Sequence, residues 1–128
     1  MLSQTAMYAL RAIGHIAKSD PSHPVLSSDL SEQLEIPRNY LSKIMNRLVQ
    51  AGYLTSKRGT NGGFLLAKKA NEVTIEDIVS LFMNVDHFDR CFLGGRECDG
   101  ACRLHSQWKP IMRQFRKLLS RNTIDTLF

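Results

Sequence analysis

The segment Ile36-Pro37-Arg38-Asn39-Tyr40-Leu41-Ser42-Lys43-Ile44-Met45-Asn46-Arg47-Leu48 decides the fold. Proline is tolerated in the first turn of a helix, so Ile36-Pro37 reads as a helix start. Tyr40, Leu41, Ile44, Met45 and Leu48 follow at helical spacing, and Gly52 lies where a helix ends. The positions between them, Arg38, Asn39, Ser42, Lys43, Asn46 and Arg47, are all polar and none is acidic. A helix with such an outer face suits a major groove, because Asn pairs with adenine and Arg or Lys with guanine.

Working outward, Ser27-Ser28-Asp29 is a cap signal ahead of a short helix reaching about Leu34. Ser3 caps an earlier helix whose stripe is Ala6, Ala9, Leu10, Ile13, Ile16 and Ala17. Downstream, two extended runs, Tyr53 to Ser56 and Gly63 to Leu66, flank Lys57-Arg58-Gly59-Thr60-Asn61-Gly62. Asn61-Gly62 favours a tight hairpin turn. Helix, short helix, basic helix and hairpin, in that order, make a winged helix-turn-helix. The fold class is thus mainly α, with a small β-hairpin wing and a long C-terminal dimerisation helix. Thr74 with Asp77 forms a capping box for another helix ending near Met83.

Charge follows the same division. Residues 37 to 70 carry seven Lys or Arg and no acid, the pattern a phosphate-binding surface requires. Arg38, Asn39, Tyr40, Ser42, Lys43 and Arg47 of the helix, and Lys57 and Arg58 of the wing, are the expected contacts to double-stranded DNA. Residues 71 to 100 hold seven acids against Arg90 and Arg96, and the last 28 residues are basic again. Three regions are expected: a DNA-binding domain over 1–84, a cysteine-rich loop over 85–102, and a helix with its tail over 103–128. In the last of these, Leu104, Trp108, Ile111, Met112, Phe115, Leu118 and Leu119 make one apolar stripe that Pro110 must start or kink. Its length favours a homodimer seam built from Trp108, Ile111, Met112, Phe115, Leu118 and Leu119.

Cys91, Cys98 and Cys102 crowd into twelve residues rich in Gly and charge, and His105 follows. An odd thiol count argues against a disulfide framework. Such a loop suits a metal or a cluster. Three thiolates and an imidazole complete a tetrahedral zinc site, and the same donors hold an iron–sulfur cluster; spacing alone leaves zinc slightly ahead. His15, His23 and His87 stand isolated in the sequence. There is no nucleotide loop, no carboxylate pair and no nucleophile with a base, so an enzyme is not expected. No apolar run approaches the 18 or so residues of a membrane span, and the start lacks a signal-peptide pattern, so a cytoplasmic protein is expected.

Arg58-Gly59-Thr60-Asn61-Gly62-Gly63-Phe64-Leu65-Leu66 resembles the wing motif of the Rrf-two family of bacterial winged-helix regulators, in its IscR- and NsrR-like branch. Tyr8-Ala9-Leu10-Arg11-Ala12, the segment Ile36 to Leu48 and the three-cysteine loop match as well, so the resemblance spans nearly the whole chain. It implies a homodimeric transcription factor, expected to be a repressor, that reads a palindromic operator. It also implies an iron–sulfur cluster on Cys91, Cys98 and Cys102 that senses iron, redox or nitric oxide status. Cys102-x-x-His105 is similar to a [2Fe–2S] arrangement closed by histidine, which puts [2Fe–2S] ahead of [4Fe–4S]. The position before Tyr8, where some relatives carry a ligating carboxylate, is Met7, and this leaves His105 the better fourth donor.

Overall fold

The computed structural model describes residues 1–94 and 100–128. Helix α1 (Gln4–Lys18) is capped by Ser3, whose hydroxyl accepts the Ala6 N–H at 3.1 Å. Ala6, Ala9, Ala12 and Ile13 of α1 are fully buried and make it the spine of the core. Helix α2 (Ser27–Leu34) begins at the first serine of the expected cap triplet. Leu26 is its N-cap and no side chain caps it, so the polar triplet lies inside the helix rather than ahead of it. Helix α3 (Arg38–Gln50) starts directly after Pro37, and Gly52 follows its end with φ +84°. Leu41, Ile44, Met45 and Leu48 pack inward. Each such side chain contributes about 1.5–3 kcal/mol on leaving water.

Strands β1 (Leu54–Lys57) and β2 (Gly63–Leu66) are antiparallel, with Leu54 opposite Leu66 and Lys57 opposite Gly63. The turn differs from the expected one. Neither Asn61 nor Gly62 has positive φ, as a two-residue Asn-Gly turn demands; Gly59 does, at +108°, inside a five-residue loop. Packing within the loop is the reason Gly62 must stay glycine, since a Cβ there would meet the Lys57 carbonyl oxygen at 2.3 Å. Val25 adds a third rung to the wing. It exchanges two backbone hydrogen bonds with Phe64, at 2.9 and 2.8 Å, and a Cβ on Gly63 would strike the Val25 oxygen at 2.6 Å.

Helix α4 (Ile75–Val79) carries the full capping box, with Thr74 and Asp77 each accepting the other's N–H at 3.0 Å. It is shorter than expected, and tight turns continue to Met83. A single 3-10 turn, Val85–Asp89, precedes Cys91. Helix α5 (His105–Arg121) holds Pro110 in its interior. The chain then returns: the Ile75 N–H donates to the Asn122 oxygen and the Ile124 N–H to the Val73 oxygen, both at 2.9 Å. Met112, Leu119 and Ile124 therefore belong to the same buried cluster as α1, α3 and α4.

That return corrects part of the expected dimer stripe. Met112 and Leu119 are buried in the subunit's own core, and Trp108 and Phe115 pack partly against it. Phe115 stacks edge-on against Phe88, with ring centres 4.9 Å apart. Ile111 and Leu118 remain more than half exposed. A helix that closes its own core has fewer residues left to give to a partner. Among the described residues, no helix is long and apolar enough to cross a membrane.

Candidate functional site

Helix α3 presents Arg38, Asn39, Ser42, Lys43 and Arg47 to solvent together with Asn46. Their exposure follows from the four inward aliphatic residues, which take up the opposite face. Tyr40 is only partly free. Its hydroxyl hydrogen-bonds the Thr5 hydroxyl, and its ring meets Tyr8 edge-on at 5.6 Å, tying the start of α3 to α1. Ser42 turns its hydroxyl back to the Arg38 oxygen at 3.0 Å. Arg11 also donates to the Leu34 oxygen at 2.7 Å and steadies the turn between α2 and α3. Lys57 and Arg58 are exposed at the end of β1 and the start of the wing loop.

His23, at the turn before α2, is exposed but not isolated. Its Nδ1 lies 2.9 Å from the Ser22 hydroxyl and 3.1 Å from Asp20. The Ser22 N–H and hydroxyl, aided by His23, hold the Asp20 carboxyl at a pKa of about 2.

The second site lies at the head of α5. Cys91, Cys102 and His105 line one cavity with Phe92, Leu104 and Trp108. Cys102 is brought beside His105 by a tight turn in which the His105 N–H donates to the Cys102 oxygen at 3.0 Å. The His105 ring turns back over the loop, its Nε2 3.8 Å from where a Cβ on Gly100 would stand. Gly94 and Gly100 both adopt left-handed φ, at 77° and 79°, which glycine takes at little cost. Cys98 lies outside the described residues, as do Arg96, Glu97 and Asp99. Among the described residues no three His, Cys, Asp or Glu side chains form a metal-holding group. The donor types still fit a soft metal or cluster: two thiols and an imidazole face the same space, beside apolar Phe92 and Trp108. The space is small, about 10 Å³, close to what one water-sized occupant needs.

Four fastenings hold the segment around Cys91 against α5, three of them on residues before it and one on Phe92 just after it. Phe88 stacks on Phe115, and Phe92 stacks on Trp108 at 5.0 Å. The Trp108 indole N–H donates to the Arg90 oxygen at 3.1 Å. Arg116 reaches Asp89 at 2.6 Å, Glu76 at 3.2 Å and Asp86 at 3.6 Å. Burial works against its charge, but the hydrogen bond it donates to Glu76 and the charges of Asp89 and Glu76 outweigh it and raise its pKa. Sequence reasoning missed Arg116 because nothing distinguishes it from the other cations of a basic helix. The one available signal was the block of acids at 72–89 with no cation among them.

Over residues 2–128 the chain matches the Rrf2 family model, described as an iron-dependent transcriptional regulator. It is 31% identical to a protein of Aquifex aeolicus named as an HTH-type transcriptional regulator, across 99% of this chain and 90% of that one. It is 33% identical to the HTH-type transcriptional regulator IscR of Pectobacterium carotovorum, across 98% of this chain and 77% of the relative. In fold it is similar to CymR, the global cysteine regulator of B. subtilis, with a TM-score of 0.80 at 20% identity, covering 99% of this chain and 95% of CymR. T. potens IscR superposes with a TM-score of 0.74 at 21% identity, covering 97% and 82%.

Proposed function

The chain belongs to the Rrf2 family of transcriptional regulators, and on that premise we propose that it is a homodimeric, operator-binding repressor. Its DNA affinity is set by an iron–sulfur cluster, [2Fe–2S] ahead of [4Fe–4S], that senses iron, redox or nitric oxide status. The carrying observation is that Cys91, Cys102 and His105 line one cavity at the head of α5. Cys98, three positions past Gly95, supplies the third thiolate. When bound, an iron–sulfur cluster supplies redox-active iron held by thiolates. The chain's own part is to present cysteine sulfurs and a histidine ring, with Phe92 and Trp108 beside them.

On the DNA side, Arg38, Asn39, Lys43 and Arg47 meet base edges and phosphates in the major groove, while Lys57 and Arg58 follow the backbone from the wing. Tyr40 keeps α3 in register with α1. The dimer seam falls to the exposed residues Leu104, Ile111 and Leu118, which recur every seven residues and so share one side of α5. Two copies then offer two recognition helices to a palindromic site. A zinc-stabilised winged-helix protein with a structural Cys3His site is the second reading. It is favoured by one observation, that three cysteines and His105 at this spacing make a complete tetrahedral donor set.

The test is purification without oxygen, absorption spectroscopy, and selection of a binding sequence from a random-duplex library. Cluster-loaded and apo protein are then compared on the selected duplex. A visible iron–sulfur spectrum with at least tenfold different affinity is expected. Equal affinity would end the sensor reading, and a colourless protein holding one zinc per chain would establish the second.

A further inference from the structure

We infer that Arg116 is a positioning residue for the cysteine site, clamping the segment Val85–Asp89 to α5 and α4 so that Cys91 is held at the cavity it lines with His105. The inference rests on the cysteine reading above for its purpose, and on geometry alone for its mechanism. Three carboxylates from two parts of the chain converge on one guanidinium: Glu76 from α4, and Asp86 and Asp89 from the turn before Cys91. Arg116 is the only cation among the described residues paired with more than one of them. Its planar fork serves Asp89 through one nitrogen and Glu76 through the other, a geometry that a lysine ammonium does not reproduce.

The arms differ in weight. Glu76 and Arg116 are both partly buried, so this pair is screened less than the other two and anchors the clamp. Asp89 is more exposed but makes the shortest contact and lies two residues from Cys91. Asp86, at 3.6 Å and mostly exposed, adds little. Isolated surface pairs hold little; here the clamp sits between the Phe88–Phe115 stack and the Trp108 bond to Arg90, so the three fastenings order one short segment together. Removing the guanidinium also leaves Glu76, Asp86 and Asp89 facing one another without a counter-charge, which pushes the segment off α5. Cys91, next along the chain, then loses its fixed place over the head of the helix. Because Glu76 belongs to α4, which packs on α1, the same residue ties the segment to the body that carries α3.

The experiment compares wild type, Arg116→Gln and Arg116→Lys. Amide hydrogen exchange on apo protein reads the clamp without any metal. In Arg116→Gln the amides of Arg90 and Gly94 should exchange at least tenfold faster, while those of α1 and α3 stay within twofold. Anaerobic reconstitution then reads its purpose: the visible chromophore should decay several-fold faster in Arg116→Gln, with Arg116→Lys intermediate in both measurements. Unchanged exchange at Arg90 and Gly94 would overturn the clamp. Faster exchange with an unchanged chromophore lifetime would overturn its role for the cysteines. A colourless wild type would remove the cluster reading, and the exchange comparison would still decide the clamp. Should Arg116→Gln fail to fold, Asp89→Asn, which removes one exposed arm, replaces it with the same expected direction.

Discussion

Helices α3 and α5 are both amphipathic, but they use their apolar faces differently. In α3, Leu41, Ile44, Met45 and Leu48 are all 2% exposed or less, and every residue between them is polar and outward. The apolar width of α3 matches the core it meets, so its other face is left for a ligand. In α5 the stripe is wider than the core. Met112 and Leu119 are consumed inside, Trp108 and Phe115 are half-buried, and Ile111 and Leu118 stay outside at 55% and 53%. An amphipathic pattern therefore states how much apolar surface a helix has, and the neighbours decide how much of it is used at home.

The difference predicts opposite outcomes for substitutions on one helix. Ile111→Asp with Leu118→Asp should leave the subunit folded, yet yield monomers whose operator affinity falls by about 10²–10⁴ through lost avidity. Sedimentation and mobility shift would show it, and a stable dimer would assign the exposed pair to some other use. Leu119→Ala, one position further, should instead cost about 2–5 kcal/mol of folding stability in urea titration, whatever the oligomeric state. A loss under about 1 kcal/mol would mean the inner side of α5 is not core. Phe115 is a poor probe of a seam, because its stack on Phe88 makes any charged replacement damage the subunit first.

On α3 the expected effects are smaller and concern DNA alone. Lys43→Ala should weaken the selected duplex by about 1–3 kcal/mol and unrelated DNA much less, with unchanged thermal unfolding. Arg58→Ala on the wing should weaken both alike and lower the salt slope by about 1. If Lys43→Ala behaved as Arg58→Ala does, α3 would position rather than specify. The smallest effect belongs to Tyr40→Phe, which removes the hydroxyl contact with Thr5. It should lower stability by no more than about 1 kcal/mol, and a larger loss would show that the outer face of α3 is not independent of α1.

Much of the fold is legible because its signals are local. Ser3, Thr74 with Asp77, Pro37 and Gly52 act within a turn or two of themselves, and each operates in the structure as its chemistry suggests. The two strands of the hairpin were legible too, but not the turn that joins them or the register it sets. Asn61-Gly62 carries a strong local preference that the loop overrides, because Gly62 packs against the Lys57 carbonyl and Gly63 against Val25. At the cysteine site the donor residues were legible as types at a spacing. That Cys91, Cys102 and His105 line one cavity was not, because the segment before Cys91 is packed on α5 by Phe88, Trp108 and Arg116, contacts that join residues far apart along the chain.

Residue order alone therefore determined the capped starts of α1 and α4, the end of α3 at Gly52, the acid-free face of α3, the two strands of the wing, and the crowding of three thiols ahead of α5. These depend on hydrogen bonds and side-chain periodicities that span at most a few residues. Only the tertiary structure decided which side of α5 is core and which is left over, that the tail returns to pair with Val73 and Ile75, and that one arginine gathers Glu76, Asp86 and Asp89. Those outcomes turn on distances between residues 27 to 51 positions apart along the chain, and such distances are set by how the whole core closes.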